Sequence, residues 1–291
     1  MHLLSRYKWP ALIGIAPALF IYLLFAIVPI ILSFYYSVMD WDGFTEMKFV
    51  GLANFQEALQ DPIFWEALKN NLLVVAASVF GQIPLALFFA LLINRKLKFG
   101  KIFRTLGFMP VVISTVIISL VWGMMYNSRR GLFNQLLEWA GLGDWAQNWL
   151  GDPKWAMFSV CMTIIWQFIG LYLIIFLAAL QNIPEEIYEA AKIDGASGLK
   201  RTLHITLPMM RNTIMVAVIL CISGSLRTFD LIYVMTAGGP GHSTEVLAMY
   251  MFHQTFSSTR YGYGSTLSLF IFFFSLALVY LSTLLLRRRP D

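Results

Sequence analysis

The sequence predicts an all-α polytopic membrane protein with six spanning helices, and three observations carry that reading. Of 291 residues, 58% are hydrophobic and only 13% are charged, against about 25% charged in an average soluble domain. Six apolar runs approach the ~20 residues needed to cross the hydrocarbon core. The Lys and Arg residues gather in short clusters beside alternate runs instead of following one helix face. Inside a bilayer the backbone must hydrogen-bond to itself, so each run is expected to be a helix.

The first run, 11–38, follows Arg6 and Lys8 as a signal peptide would, but it is too long and lacks a small-residue cleavage site, so it reads as the first span. The others cover 72–94, 102–126, 155–180, 208–228 and 266–286. Residues 11–286 therefore form one transmembrane domain, with 1–10 and 287–291 as cytoplasmic termini. That orientation puts Arg6 and Lys8 on the inside, with the cluster Arg95, Lys96, Lys98, Lys101 and Arg104. Lys192, Lys200, Arg201 and Arg211 join them, as do Arg287, Arg288 and Arg289, which satisfies the positive-inside rule. The formal charge of +5 is thus explained by topology and gives no reason to expect a nucleic-acid partner.

The outer segments 40–69, 127–154 and 229–265 carry Trp41, Trp65, Trp139, Trp145 and Trp149, rings suited to anchoring at the lipid interface. Between Leu132 and Ala140 the apolar residues fall on one side, with Asn134, Gln135 and Glu138 elsewhere, which predicts a short interfacial helix. Catalytic chemistry is not in view. No GxxxxGK[ST] phosphate loop occurs, and His2, His204, His242 and His253 show no metal-ligand spacing. Gly238-Gly239-Pro240-Gly241 has the composition of a turn. Cys161 and Cys221 sit inside apolar runs, where a structural disulfide would be unusual. No metal or cofactor is expected in the chain.

Between the fourth and fifth spans, residues 184–208 predict two short helices at an angle. Pro184 suits a helix start because its missing N–H would be unpaired there, and Glu185 and Glu186 complement the positive end of the dipole. Gly195 can take the left-handed conformation that ends a helix, and Ser197 can cap the next one. Ala190, Ala191 and Gly195 are small enough to admit a close neighbour, and Glu189 offers a charge to a basic partner.

The spacing of Glu189, Ala190, Ala191, Gly195, Ile205, Leu207 and Pro208 resembles the cytoplasmic signature of permease subunits of binding-protein-dependent ABC importers. The segments Val50 to Phe55, Ala179 to Pro184 and Thr236 to Gly241 look like the maltose-type, carbohydrate-importing branch (CUT1). The resemblance implies a type I importer fold in the inner membrane of a bacterial or archaeal cell. It makes 184–208 the coupling segment that docks on an ATPase, with Asp194 part of it. It also implies a second homologous permease completing a heterodimer, two ATPase subunits that hold ATP and Mg, and an extracytoplasmic solute-binding protein that delivers a di- or oligosaccharide.

Polar groups at membrane depth usually face inward. Candidates for the substrate path are Trp166, Gln167 and Tyr172 in the fourth span, with Ser225, Arg227, Thr228 and Asp230 at the outer end of the fifth. Arg227 and Asp230, three apart on one helix face, are placed to pair with each other; the alternative partner for Arg227 is an acidic sugar or a phosphorylated polyol. The rivals are the same architecture carrying glycerol phosphate, a peptide or a polyamine, an ion-coupled transporter, and an intramembrane enzyme. The spans contain no chain of Asp, Glu and His that an ion relay would need.

Overall fold

The computed structural model describes residues 8–94 and 100–286. Arg6, Arg95, Lys96, Lys98 and Arg287 to Arg289, on which part of the predicted topology rests, lie outside the described residues. Among those described, the regular structure is helical except for one two-stranded hairpin. Two compact units divide the chain, one from residues 8–61 with 251–272 and one from 62–250 with 273–286.

In the first unit α1 runs through Lys8–Tyr22, a wider π segment Leu23–Ile27, and Val28–Ser37. Its most apolar stretch buries no residue inside the chain, and Phe25 stands 73% exposed. Such a surface is costly in water and ordinary against lipid. The strands β1 (Met39–Asp40) and β2 (Lys48–Phe49) pair antiparallel, and α2 (Ala53–Gln60) follows. Buried Asn54 on α2 donates to the carbonyls of Ser37 and Met39, both at 2.9 Å, closing the end of α1. Trp41 stacks on Tyr36 at 4.9 Å between centroids and meets Tyr261 at 5.6 Å.

The second unit opens with α3, which passes from Pro62–Ala77 through the π segment Ser78–Gln82 into Ile83–Ile93. Next come α4 (Gly100–Val112), α5 (Thr115–Met125), α6 (Leu132–Trp139) and the long α7 (Pro153–Gln181). The corner follows as α8 (Glu185–Ile193) and α9, which comprises Gly198–Arg201, the π segment Thr202–Thr206 and Leu207–Met209. Then come α10 (Arg211–Ser225), α11 (Asp230–Thr236) and α12, made of Leu247–Phe252 and His253–Ser257, whose residues from 251 onward belong to the first unit, as do residues 261–272 of the helix that follows. Helix α13 (Tyr261–Leu286) ends the described chain. The core of this unit gathers around α7, where Tyr172, Leu173, Phe176, Leu177 and Leu180 pack against Ile83, Ala86, Ala90 and Ile93 of α3 and against Met210 and Ala217.

The π segments have a local cause. Three of them, Leu23–Ile27, Ser78–Gln82 and Thr202–Thr206, stop two residues before Pro29, Pro84 and Pro208. Proline has no N–H to donate, and its ring crowds the carbonyl four residues back. That carbonyl belongs to Phe25, Phe80 or His204, inside the π segment each time. A wider turn relieves the crowding while the helix continues.

Among the described residues four helices are long and apolar enough to cross a membrane singly, and the number is six when each of two bent pairs is counted as one span. The run 102–126 is therefore not one straight helix: α4 and α5 meet at 99°, where Ser114 is extended after Pro110 and the β-branched Val111, Val112 and Ile113. Helices α9 and α10 meet at 69°, just after Pro208, where the corner passes into the fifth apolar run. Helix α3 starts ten residues before the predicted 72, at Pro62, because Glu66, Lys69, Asn70 and Asn71 interrupt the apolar run without interrupting helical hydrogen bonding. Helix α13 likewise begins at Tyr261 rather than 266.

The predicted interfacial helix forms as α6, held from below by a fully used amide. Buried Asn134 donates to Ser128 O and Gln147 O and accepts from Gln147 N and from Trp149 Nε1 at 2.7 Å. Trp139 and Trp145 are exposed, as interface anchors should be, whereas Trp149 is half-buried and serves the loop's own packing.

Candidate functional site

Near the middle of the spans in the second unit lies a cavity of about 310 Å³. Its polar lining comes from four places in the sequence: Gln82 on α3, Thr115 at the start of α5, Tyr172 on α7, and Ser225, Arg227, Thr228 and Asp230 where α10 passes into α11. Phe168 and Phe229 supply aromatic faces. Each position has a local reason. The π turn before Pro84 ends at Gln82, the break after Ile113 brings Thr115 to a helix start, and the turn closing α10 carries Arg227 and Thr228. In that turn Arg227 N donates to Gly224 O and Thr228 N to Ser225 O.

Five of the seven predicted path residues line this cavity. Gln167, buried next to it, donates from Nε2 to Thr115 Oγ1 at 3.0 Å. Trp166 does not line it: the ring packs 5.2 Å from Trp122, and the side chain is 42% exposed. One residue along α7 rotates a side chain by about 100°, which takes Trp166 to a different face from Gln167. Arg227 and Asp230 do not share a helix face either, because α10 stops at Ser225 and Asp230 opens α11. Among the described residues neither forms an ion pair. Sequence reading missed Gln82 and Thr115. The available signals were an amide inside an apolar run two residues before a proline, and a Ser-Thr pair after a β-branched run.

Beyond the cavity the Gly-Gly-Pro turn is held by side chains. Thr244 Oγ1 donates to Gly239 O at 2.8 Å, and Asn70 donates to His242 O and to Glu245 O at 2.9 Å. Asn71 Oδ1 accepts from Leu247 N at 2.8 Å. His242 Nδ1 pairs with the buried Glu245 carboxylate. Asn71→Leu would strand a buried backbone N–H, at about 1–3 kcal/mol. We expect a lower thermal midpoint for that variant in detergent, checked against Gln135→Leu on exposed α6, which should melt as wild type.

At the other end of the unit, α8 starts at Glu185 after Pro184, and Gly195 adopts φ +75°, the conformation expected of it. Asp194 N bonds Ala190 O at 3.1 Å and Ala196 N bonds Ala191 O at 2.8 Å, which closes the helix end. Glu189, Ala190, Asp194, Gly195 and Pro208 are exposed, Ile205 and Leu207 half-buried, and Ala191 buried. The small face is thus divided, with Ala191 packing inward and Ala190 and Gly195 outward. Ser197 occupies the start of α9 without a side-chain capping bond.

Residues 82–289 match the family described as binding-protein-dependent transport system inner membrane component. The chain is 38% identical over 91% of its length to the probable ABC transporter permease protein YurN of Bacillus subtilis (strain 168), covering 91% of that protein. It is 36% identical to the trehalose/maltose transport system permease protein MalF of Thermococcus litoralis, covering 94% of this chain and 93% of that one. A crystal structure of a bacterial ABC transporter involved in the import of the acidic polysaccharide alginate contains a chain of the same fold, with TM-score 0.85, 24% identity and complete coverage of both.

Proposed function

This chain belongs to the inner-membrane components of binding-protein-dependent transport systems and is a multi-pass permease subunit of an ABC importer; we propose that its cargo is a di- or oligosaccharide. The observation that carries this is the cavity, whose lining holds hydrogen-bonding groups together with the aromatic side chains of Phe168, Tyr172 and Phe229. Sugars need that combination, since each ring presents hydroxyls at its edge and an apolar face. The name of the trehalose/maltose relative supports the same class.

In this reading Tyr172, Ser225, Arg227, Thr228 and Asp230 meet the sugar directly, and Gln167 acts through Thr115 at the wall. A second permease completes the pore, and an extracytoplasmic binding protein delivers the cargo. The exposed residues Glu189, Ala190, Asp194 and Gly195, backed by Ala191, Ile205, Leu207 and Pro208, dock on one of two ATPase subunits, where ATP and Mg are held. Both termini lie in the cytoplasm, the side to which the described basic residues Lys101, Arg104, Lys192, Lys200, Arg201 and Arg211 belong. ATP drives uptake because the ATPase pair binds the two membrane conformations with different affinity.

The test is to purify the tagged chain from its native membrane, identify its companions by mass spectrometry, and reconstitute the complex in proteoliposomes. We expect ATPase and binding-protein companions, and ATP-dependent uptake of at least one of trehalose, maltose and lactose. Recovery without an ATPase would count against the coupling assignment, and uptake of none of these sugars would count against the cargo class.

A further inference from the structure

Along α3, Val74, Ser78, Gln82, Ala86 and Ala90 stand four positions apart and are all nearly fully buried, and Gln82 among them lines the cavity. A regular helix would drift by about 40° at each such step and carry the later residues off the face. The wider turn of the π segment Ser78–Gln82 reverses that drift across its own step, and both polar side chains, Ser78 and Gln82, stay turned to the protein interior.

Gln82 is then poorly served by the protein. Its Nε2 reaches Ile164 O at 3.4 Å and its Oε1 receives the Cys221 thiol at 3.7 Å, both at the long end of useful geometry. An amide offers two donors and an acceptor oxygen with two lone pairs, so half its capacity is unused. Ser78 Oγ, one turn back, and Gln167 Oε1, across on α7, are buried with no partner among the described residues. Unmet polar groups at such depth are costly, and of these three only Gln82 lines the cavity, so only its amide can be completed from there.

Resting on the carbohydrate reading above, we propose that Gln82 is a cargo-contacting residue that selects uncharged hydroxyl groups. Its amide donates to one hydroxyl of a vicinal pair and accepts from the other, while Gln167 holds the neighbouring Thr115 at the wall. An anionic group is disfavoured there, because it would lose hydration and meet only an uncharged amide, without a net counter-charge. Arg227 and Asp230, on the same cavity, carry opposite charges.

The experiment uses the assembled importer in proteoliposomes, with whichever of radiolabelled trehalose, maltose and lactose the wild type takes up, its deoxy analogues, and its uronate counterpart. Gln82→Met keeps the side-chain volume and removes the hydrogen bonds. We expect uptake of the neutral sugar to fall at least tenfold and its lead over the uronate to shrink, while ATP hydrolysis stimulated by loaded binding protein stays within twofold. Gln82→Asn should restore the ranking of cargoes in part. Unchanged uptake, or an equal fall in uptake and ATP hydrolysis with the ranking intact, would overturn the proposal and leave Gln82 as a bridge between helices. If Gln82→Met does not assemble, Gln82→Asn carries the test alone, since retracting the amide by one methylene must change the ranking. A wild type that imports none of the sugars removes the underlying reading, and this proposal with it.

Discussion

Replacing Gly170 with valine is expected to prevent assembly of the second unit. A Cβ at this position on α7 would lie 2.0 Å from Gly107 O, 2.7 Å from Gly107 C and 2.9 Å from Phe108 Cα. All three are backbone atoms of α4, so no side chain can swing aside, and the two helices must separate. Without a strong hydrophobic drive between helices in lipid, such close approach of small residues is a principal source of packing energy. Overpacking a tight core costs typically 1–3 kcal/mol, and a β-branched residue against backbone belongs at or above the top of that range. The check is the yield of monodisperse protein and its thermal midpoint in detergent. Gly123→Ala is the control: its Cβ meets nothing within 4 Å, so it should be neutral. Wild-type yield and melting for Gly170→Val would show that the α4 and α7 contact is looser than described.

The second large effect concerns coupling and leaves the bundle intact. Gly195 has open space around its Cβ but φ +75°, a conformation that costs other L-residues about 1–2 kcal/mol. Valine at 195 therefore clashes with nothing and instead pushes the backbone out of the turn that sets the angle between α8 and α9. Because Glu189, Ala190 and Asp194 are presented by that turn, we expect Gly195→Val to insert and assemble normally while uptake falls by tenfold or more. Gly195→Asn should lose much less, since asparagine tolerates the left-handed region. Normal import by the valine variant would sink the assignment of 184–208 as the coupling segment.

Much of this architecture is legible in the chain because its signals are local. The long apolar runs mark the four single spanning helices and the two bent pairs, Asp152 and Pro153 mark where α7 begins, and the position of Gly195 marks where α8 ends. The candidate site was harder. Tyr172, Ser225, Arg227, Thr228 and Asp230 stood out as polar residues at membrane depth, and so did Trp166, which turns to another face. Hydropathy ranks residues without regard to direction, and a one-residue step on a helix is enough to exchange cavity for aromatic cluster. The Arg227 and Asp230 pairing failed for a related reason: a three-residue spacing implies a shared face only within one helix, and α10 ends at Ser225, before either residue, while α11 begins at Asp230.

The sequence by itself determined the solvent, the class of fold, the number of spans and the place of the corner. These follow from composition, run length and the backbone limits of proline and glycine, all of which act within a few residues. Only the tertiary structure decided that Gln82, Thr115, Tyr172 and Arg227 share one cavity, that Gly170 must be glycine because Gly107 lies across from it, and that Asn70 and Asn71 hold a turn some 170 residues away. Those facts depend on the rotation of each helix about its axis and on which helix faces which, and both are set by the packing of the whole bundle.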